Sequence, residues 1–155
     1  MAQIGILTDS LVQYPSIRFP GMKQVHTLSN HLLYDGNAIS LASDFKLHQL
    51  PTEFRVDSPP RISAPSREEF QNAFLNYLNH YDDLLVILPS GALTQSVENA
   101  TAALGKIEGN GRITILDSQS VSVGLGALVI YAARQIAMNR DIQTVIEESR
   151  SFLQH

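Results

Sequence analysis

Five aliphatic residues in a row, Leu84-Leu85-Val86-Ile87-Leu88, stand in the middle of the chain with no polar group among them. A strand with one wet face alternates apolar and polar side chains. An unbroken run of this length therefore predicts a strand covered on both faces, as inside a parallel sheet. Pro89 has no N–H to give to a ladder and ends the strand, and Gly91 permits a sharp turn. Leu93 to Leu104 reads as the next helix, which leaves Ser90, Thr94 and Ser96 at a strand-to-helix junction. Ligands of open α/β sheets settle outside the carboxyl ends of the strands, so a small-molecule site is expected here.

The same arrangement recurs elsewhere. The run from Gln3 to Leu7 leads into Thr8-Asp9-Ser10, and Arg112 to Leu116 leads into Asp117-Ser118-Gln119-Ser120. Asp9 either bonds nearby backbone N–H groups as an Asx turn or orders the loops around a site. Lys23 to Leu28 alternates weakly and is expected as a further strand, and Tyr34-Asp35-Gly36-Asn37 is a tight-turn signal. Ser43 to Leu50 reads as a short helix capped by Ser43, and Pro51 to Pro65, with four prolines, as a loop. Ser66 and Glu69 form a capping box ahead of a stripe of Phe70, Ala73, Phe74, Tyr77 and Leu78, expected to pack into the core. A long helix is expected from about Ser120 to Asn139, with Gly124 and Gly126 near its start implying close packing or backbone approach. Asp141 caps a last helix. Strands alternating with helices predict one layered α/β domain over 1–155, with a mostly parallel sheet flanked by helices. Its polar strand ends would gather Asp9, Ser10, Ser90, Thr94, Asp117 and Ser118 along one edge.

Eleven Lys and Arg against fifteen Asp and Glu give a net charge of -4, which argues against nucleic acid or an anionic membrane as the main partner. With no Cys, thiolate metal sites, thiol nucleophiles and disulfides are excluded. The opening MAQIGILTDS has no basic n-region, so no signal peptide is expected. The longest apolar run, Val121 to Ile130, is too short and too glycine-interrupted to span a bilayer, and the expected location is the cytoplasm. Phosphate-loop and dinucleotide fingerprints are absent, and Val123-Gly124-Leu125-Gly126 lacks the third glycine of the latter and comes too late in the chain. His26 and His31 are five apart, a spacing that suits no metal pair, so neither metal nor cofactor is expected. A serine hydrolase would need Ser90 with one of five histidines and Asp117, yet Ser90 lies outside any G-x-S-x-G elbow and nothing selects the histidine. An edge rich in hydroxyls and poor in general bases suits holding an oxygen-bearing ligand better than transforming one.

In their order, these segments resemble the amino-terminal domain of the DegV family, bacterial fatty-acid-binding proteins of α/β fold. The matching pieces are the first strand with Thr8-Asp9-Ser10, the Tyr34-Asp35-Gly36 turn, and Ser63-Ala64-Pro65-Ser66 with Phe70, like the family's Thr-Ser-Gln-Pro-Ser. Ser90-Gly91-Ala92-Leu93-Thr94-Gln95-Ser96 is similar to its Ser-Ser-x-Leu-Ser-Gly-Thr, and Asp117-Ser118 precedes Ser120, Gly124, Leu125 and Gly126. The resemblance implies a ligand carboxylate held by hydroxyls of the second and third polar loops, with the acyl tail in an apolar tunnel. The Thr of the first motif falls on Ile62, so Ser63 would have to substitute. The Ser of the second falls on Thr94, and the glycine after it is Gln95. Family members usually carry a second domain that closes over the ligand, and this chain, ending at His155, is expected to lack it. A lost hydroxyl to a charged head group costs on the order of 1.5–3 kcal/mol. Each buried methylene contributes roughly 0.8 kcal/mol, so an uncovered half-tail forfeits about 5 kcal/mol. The expected function is thus binding of a fatty acid or related carboxylate without chemistry. Ser63, Ser90 and Thr94 would hold the head group beside Ile62 and Ser96, while Asp9, Ser10, Asp117 and Ser118 order the loops. The implied partners are a long-chain fatty acid, a second copy or separate lid chain over the cleft, and a kinase. The alternative is an interaction or dimerisation module that has lost lipid binding.

Overall fold

The computed structural model describes residues 2–42, 44–108 and 110–153. In chain order the strands are β1 (Ile4–Asp9), β2 (Val25–Leu28), β3 (His31–Tyr34), β4 (Asn37–Ser40), β5 (Arg61–Ser63), β6 (Asp83–Leu88) and β7 (Ile113–Asp117). The helices are α1 (Arg67–Leu78), α2 (Ser96–Leu104), α3 (Val123–Ala137) and α4 (Ile142–Phe152). β2, β1, β6 and β7 lie side by side in that order, all parallel, with Ile6 opposite both Val25 and Leu85 and with Ile87 opposite Leu116. The apolar run of β6 is buried throughout, as its composition requires. Leu85 and Ile87 pack with Leu125, Val129 and Ile146 of α3 and α4, whereas Leu84, Val86 and Leu88 pack with Phe70, Phe74 and Ala100 of α1 and α2. A layer of helices on each side of a parallel sheet is the architecture that the sequence pattern predicts.

Local signals hold where they carry their own hydrogen bonds. Glu69 N donates to Ser66 Oγ at 3.2 Å and Ser66 N to Glu69 Oε2 at 2.8 Å, closing the capping box of α1. Asp141 caps α4 by accepting from Thr144 N at 3.0 Å. Asp35 and Gly36 have φ of 49° and 76°, and Tyr34 pairs with Asn37 across them, the two-residue hairpin turn that matches strand twist.

Several expectations need correction. The proline-rich stretch 51–65 is not loop throughout, since its last residues form β5, which pairs antiparallel with β3 to complete a second sheet of order β4-β3-β5. Three residues between prolines are too few for a period to register. The segment expected as a helix at 43–50 contains only a 3-10 turn at Leu47–Gln49, and its expected cap Ser43 lies outside the described residues. α2 starts at Ser96 rather than Leu93, because Leu93 N and Thr94 N both turn back to Ser90 O, at 2.9 and 3.1 Å. α3 starts at Val123 rather than Ser120, after Gln119 and Ser122 have taken positive φ. Among the described residues no helix is long and apolar enough to cross a membrane.

The glycine at the start of α3 has a steric reason. The loop after β1 runs across this turn, with Gln13 N on Ser122 O and Ser122 N on Leu11 O, both at 3.1 Å. A Cβ on Gly126 would lie 1.9 Å from Gln13 O, a backbone atom that cannot yield without moving the loop. Gly126→Ala is therefore expected to lose about 1–3 kcal/mol of unfolding free energy by denaturant titration. Gly111→Ala meets nothing within 4 Å, and should stay within about 0.5 kcal/mol of wild type.

Candidate functional site

The polar ends of the parallel strands are held by two knots of hydrogen bonds. The first centres on Asp9, the last residue of β1 and fully buried. Its carboxylate accepts from Ser96 Oγ at 2.6 Å, from Leu11 N at 3.0 Å and from Asn30 Nδ2 at 3.4 Å. Burial pushes the Asp9 carboxyl above its ordinary value, against the opposing pull of Ser96, Leu11 and Asn30. Ser10 extends the knot, donating through Oγ to Asn30 Oδ1 at 3.0 Å and accepting from Asn30 N at 2.9 Å. Asp9 thus does both things that the sequence leaves open, forming a short-range turn to Leu11 and tying two distant loops. The second knot centres on Asp117, which accepts from Gly91 N at 3.1 Å and Gln119 N at 2.8 Å. Beside it Ser118 N donates to Leu88 O at 2.9 Å and Ser118 Oγ to Ser120 O at 3.1 Å, and Ser120 O also accepts from Ser90 N at 2.8 Å.

Above these knots lies a cleft of about 680 Å³. The loop after each parallel strand reaches it: Leu11 follows β1, Asn30 follows β2, Gly91 to Gln95 follow β6, and Val121 follows β7. The opposite wall is the small antiparallel sheet, through Leu33 and Arg61 to Ala64. Leu93 and Ile62 are 66% and 56% exposed here, a surplus of apolar surface in the open cleft.

The expected ligand contacts divide. Ile62, Ser63 and Thr94 line the cleft. Thr94 Oγ1 accepts from Ser96 N at 3.2 Å, which leaves its own proton free to donate to a ligand oxygen. Ser63 Oγ donates to Ala64 O at 3.3 Å, a long bond that a better acceptor would displace. Ser96 and Ser90 are not among the lining residues. Ser96 is fully buried and its hydroxyl donates to Asp9, tying the start of α2 to the end of β1. Ser90 is nearly buried and accepts from Ala92 N at 3.3 Å, closing the turn before Thr94. Among the described residues no histidine is hydrogen-bonded to Ser90: Asp117 is turned to backbone amides, His26 Nε2 lies 2.8 Å from Tyr81 Oη, and His31 Nε2 lies 2.8 Å from Glu69 Oε1. Asn30 and Arg61 are lining residues that sequence reasoning missed. Asn30 follows a weak edge strand without a motif, and only its full burial singles it out.

Comparison with known proteins matches residues 3–155 to the family model described as "Uncharacterised protein, DegV family". A DegV domain-containing protein of Deinococcus radiodurans is 29% identical over 145 residues, covering 93% of this chain and 50% of that protein. Among solved structures, a DegV family protein from Thermus thermophilus, described for its fatty acid binding, superposes with a TM-score of 0.84 at 24% identity, covering 98% of this chain and 54% of that one. The Streptococcus pneumoniae Fatty Acid Kinase (Fak) B3 protein loaded with linoleic acid gives a TM-score of 0.80 at 16% identity, again covering 98% of this chain and 54% of that one. At these identities the structures establish the fold. The chain spans about half the length of each of these three relatives.

Asp9→Ala would leave the Ser96 hydroxyl, the Leu11 N–H and the Asn30 amide short of their acceptor, and is expected to lower the unfolding free energy by on the order of 3 kcal/mol. Because the folded carboxyl titrates above 3.8, the folded wild type holds more protons than the unfolded chain between 3.8 and that raised value. Stability attributable to Asp9 therefore falls as pH rises through this window. Urea titrations from mildly acidic to neutral pH should show wild type losing stability relative to Asp9→Asn, which has no such titration.

Proposed function

The chain belongs to the DegV family, and on that premise we propose that it binds a long-chain fatty acid or related carboxylate in the cleft at the carboxyl edge of its parallel sheet, with no chemistry of its own. One observation carries the reading: the loops of all four parallel strands converge on one cleft that pairs exposed aliphatic side chains with a free hydroxyl donor. That pairing suits an amphiphile with an oxygen-bearing head and an apolar tail. Thr94 and Ser63 hold the head group, while Asp9, Ser10, Ser96, Asp117 and Ser118 keep the loops in place around it. Leu93, Ile62, Leu33 and Val121 meet the tail. Such a cleft needs a further surface above it to bury the tail's outer half, supplied by another domain, a second copy or a partner chain. The description of the Streptococcus pneumoniae neighbour as a fatty acid kinase protein supports a kinase as one such partner, and the reading places the protein in the cytoplasm.

A second reading draws on the same exposed Leu93 and Ile62: the cleft is a protein–protein interface that no longer takes lipid. The two separate cleanly in a thermal-shift series with saturated and unsaturated fatty acids of graded length. Ligand at 100 times its dissociation constant stabilises by ~2.7 kcal/mol. An upward shift peaking at one chain length is expected. Absence of any shift, together with a concentration-dependent dimer in sedimentation, would favour the interface reading and sink the lipid one.

A further inference from the structure

We propose that Arg61 is the cation that fixes the ligand's carboxylate in this chain, an inference that rests on the acyl-binding reading above. Arg61 opens β5 and pairs in register with Leu33. These two residues are shared by the 680 Å³ cleft and a second cavity of about 460 Å³ beneath the β3–β4 hairpin, so Arg61 stands where the two meet. Among the described residues it is the only charged one lining the larger cleft. A lone positive charge in a protein of net charge -4 is a local reversal of sign, and among the described residues no carboxylate lines the cleft to oppose an entering anion.

The guanidinium is also uncommitted. Among the described residues the ion pairs are His31–Glu69, Arg55–Asp57 and Arg67–Glu68, and none includes Arg61. Two aspartates, Asp35 and Asp57, line the smaller cavity, and Asp57 is held by Arg55 through two bonds at 3.1 and 3.2 Å. The side free of acid is the large cleft, and there the neighbouring groups are weak. Ile62 offers no hydrogen bond, and Ser63 reaches a ligand oxygen only by giving up its long bond to Ala64 O. Thr94 supplies one donor, which satisfies a fraction of a carboxylate's four lone-pair sites. An arginine fork donates two parallel N–H bonds and a full charge, which suits it to the remaining oxygens. The head group is then gripped from both walls, by Thr94 on the parallel sheet and Arg61 on the antiparallel one.

The test compares oleate with methyl oleate and oleyl alcohol, below their aggregation limits, in a fluorescent-acyl displacement assay on wild type, Arg61→Met and Arg61→Lys. Wild type should prefer oleate over its ester, and this preference should weaken with added salt because the pair is exposed. Arg61→Met should lose on the order of 10- to 100-fold in oleate affinity while its ester affinity stays nearly unchanged. Arg61→Lys should fall between them, keeping the charge without the fork. Equal oleate affinity in wild type and Arg61→Met, at matching melting temperatures, would overturn the role of Arg61 and leave acyl binding standing. So would a wild type that binds ester and acid alike, a readout that needs no variant to fold. A wild type that binds none of the three would overturn both readings.

Discussion

Asp9 is a carboxylate removed from water, and the donors that compensate it come from three parts of the chain: the turn after β1, the loop between β2 and β3, and the first residue of α2. Desolvating an ion costs several kcal/mol, so none of these donors can be withdrawn cheaply. The consequence is geometric. The loop carrying Thr94 cannot drift from the loop carrying Asn30 without uncovering a buried charge. Asp117 repeats the device on the other side of β6, tying Gly91 to the loop after β7. The cleft between these loops is thereby preorganised, which lowers the ordering cost of holding a ligand.

The two walls of the cleft are built differently. One is the end of a parallel sheet whose inner strands are sealed by helices on both faces. The other is a three-stranded antiparallel sheet of short strands, none with more than four residues. Short strands at a sheet edge contribute little packing of their own. The His31–Glu69 contact at 2.8 Å joins this smaller sheet to the capping box of α1. The smaller sheet also carries Ile62, one of the positions where the motif that the sequence resembles has a different residue. On the proposed reading, a change in the wall with the less extensive core alters head-group chemistry while leaving the main fold intact.

Features that satisfy themselves locally were legible. The run Leu84 to Leu88 required a doubly covered strand, Ser66 and Glu69 required a helix start, and Asp35-Gly36 required a hairpin. Each of these is a statement about a residue and its neighbours within a few positions. β5 was not legible, because three residues hold no period and their partner β3 is some thirty positions earlier. The start of α2 was misread for a similar reason: Leu93 and Thr94 have helix-compatible side chains, but their N–H groups return to Ser90 O. Ser96 was expected among the ligand contacts, whereas in the fold its hydroxyl is donated to Asp9, 87 positions away.

Sequence alone determined the α/β class and the small polar residues at the carboxyl ends of the parallel strands, because these follow from unbroken and periodic apolar runs and from what ends them. Tertiary structure decided which hydroxyls of the Ser90 to Ser96 stretch remain available. Ser96 donates its hydroxyl to Asp9 and Ser90 is nearly buried in the turn it closes, whereas Thr94 lines the cleft and keeps a proton to donate. It also brought Arg61 to the cleft from a segment read as irregular. The physical reason is the same in both cases. A polar side chain's role depends on which partner reaches it first, and that partner is set by the fold and not by its neighbours in the chain.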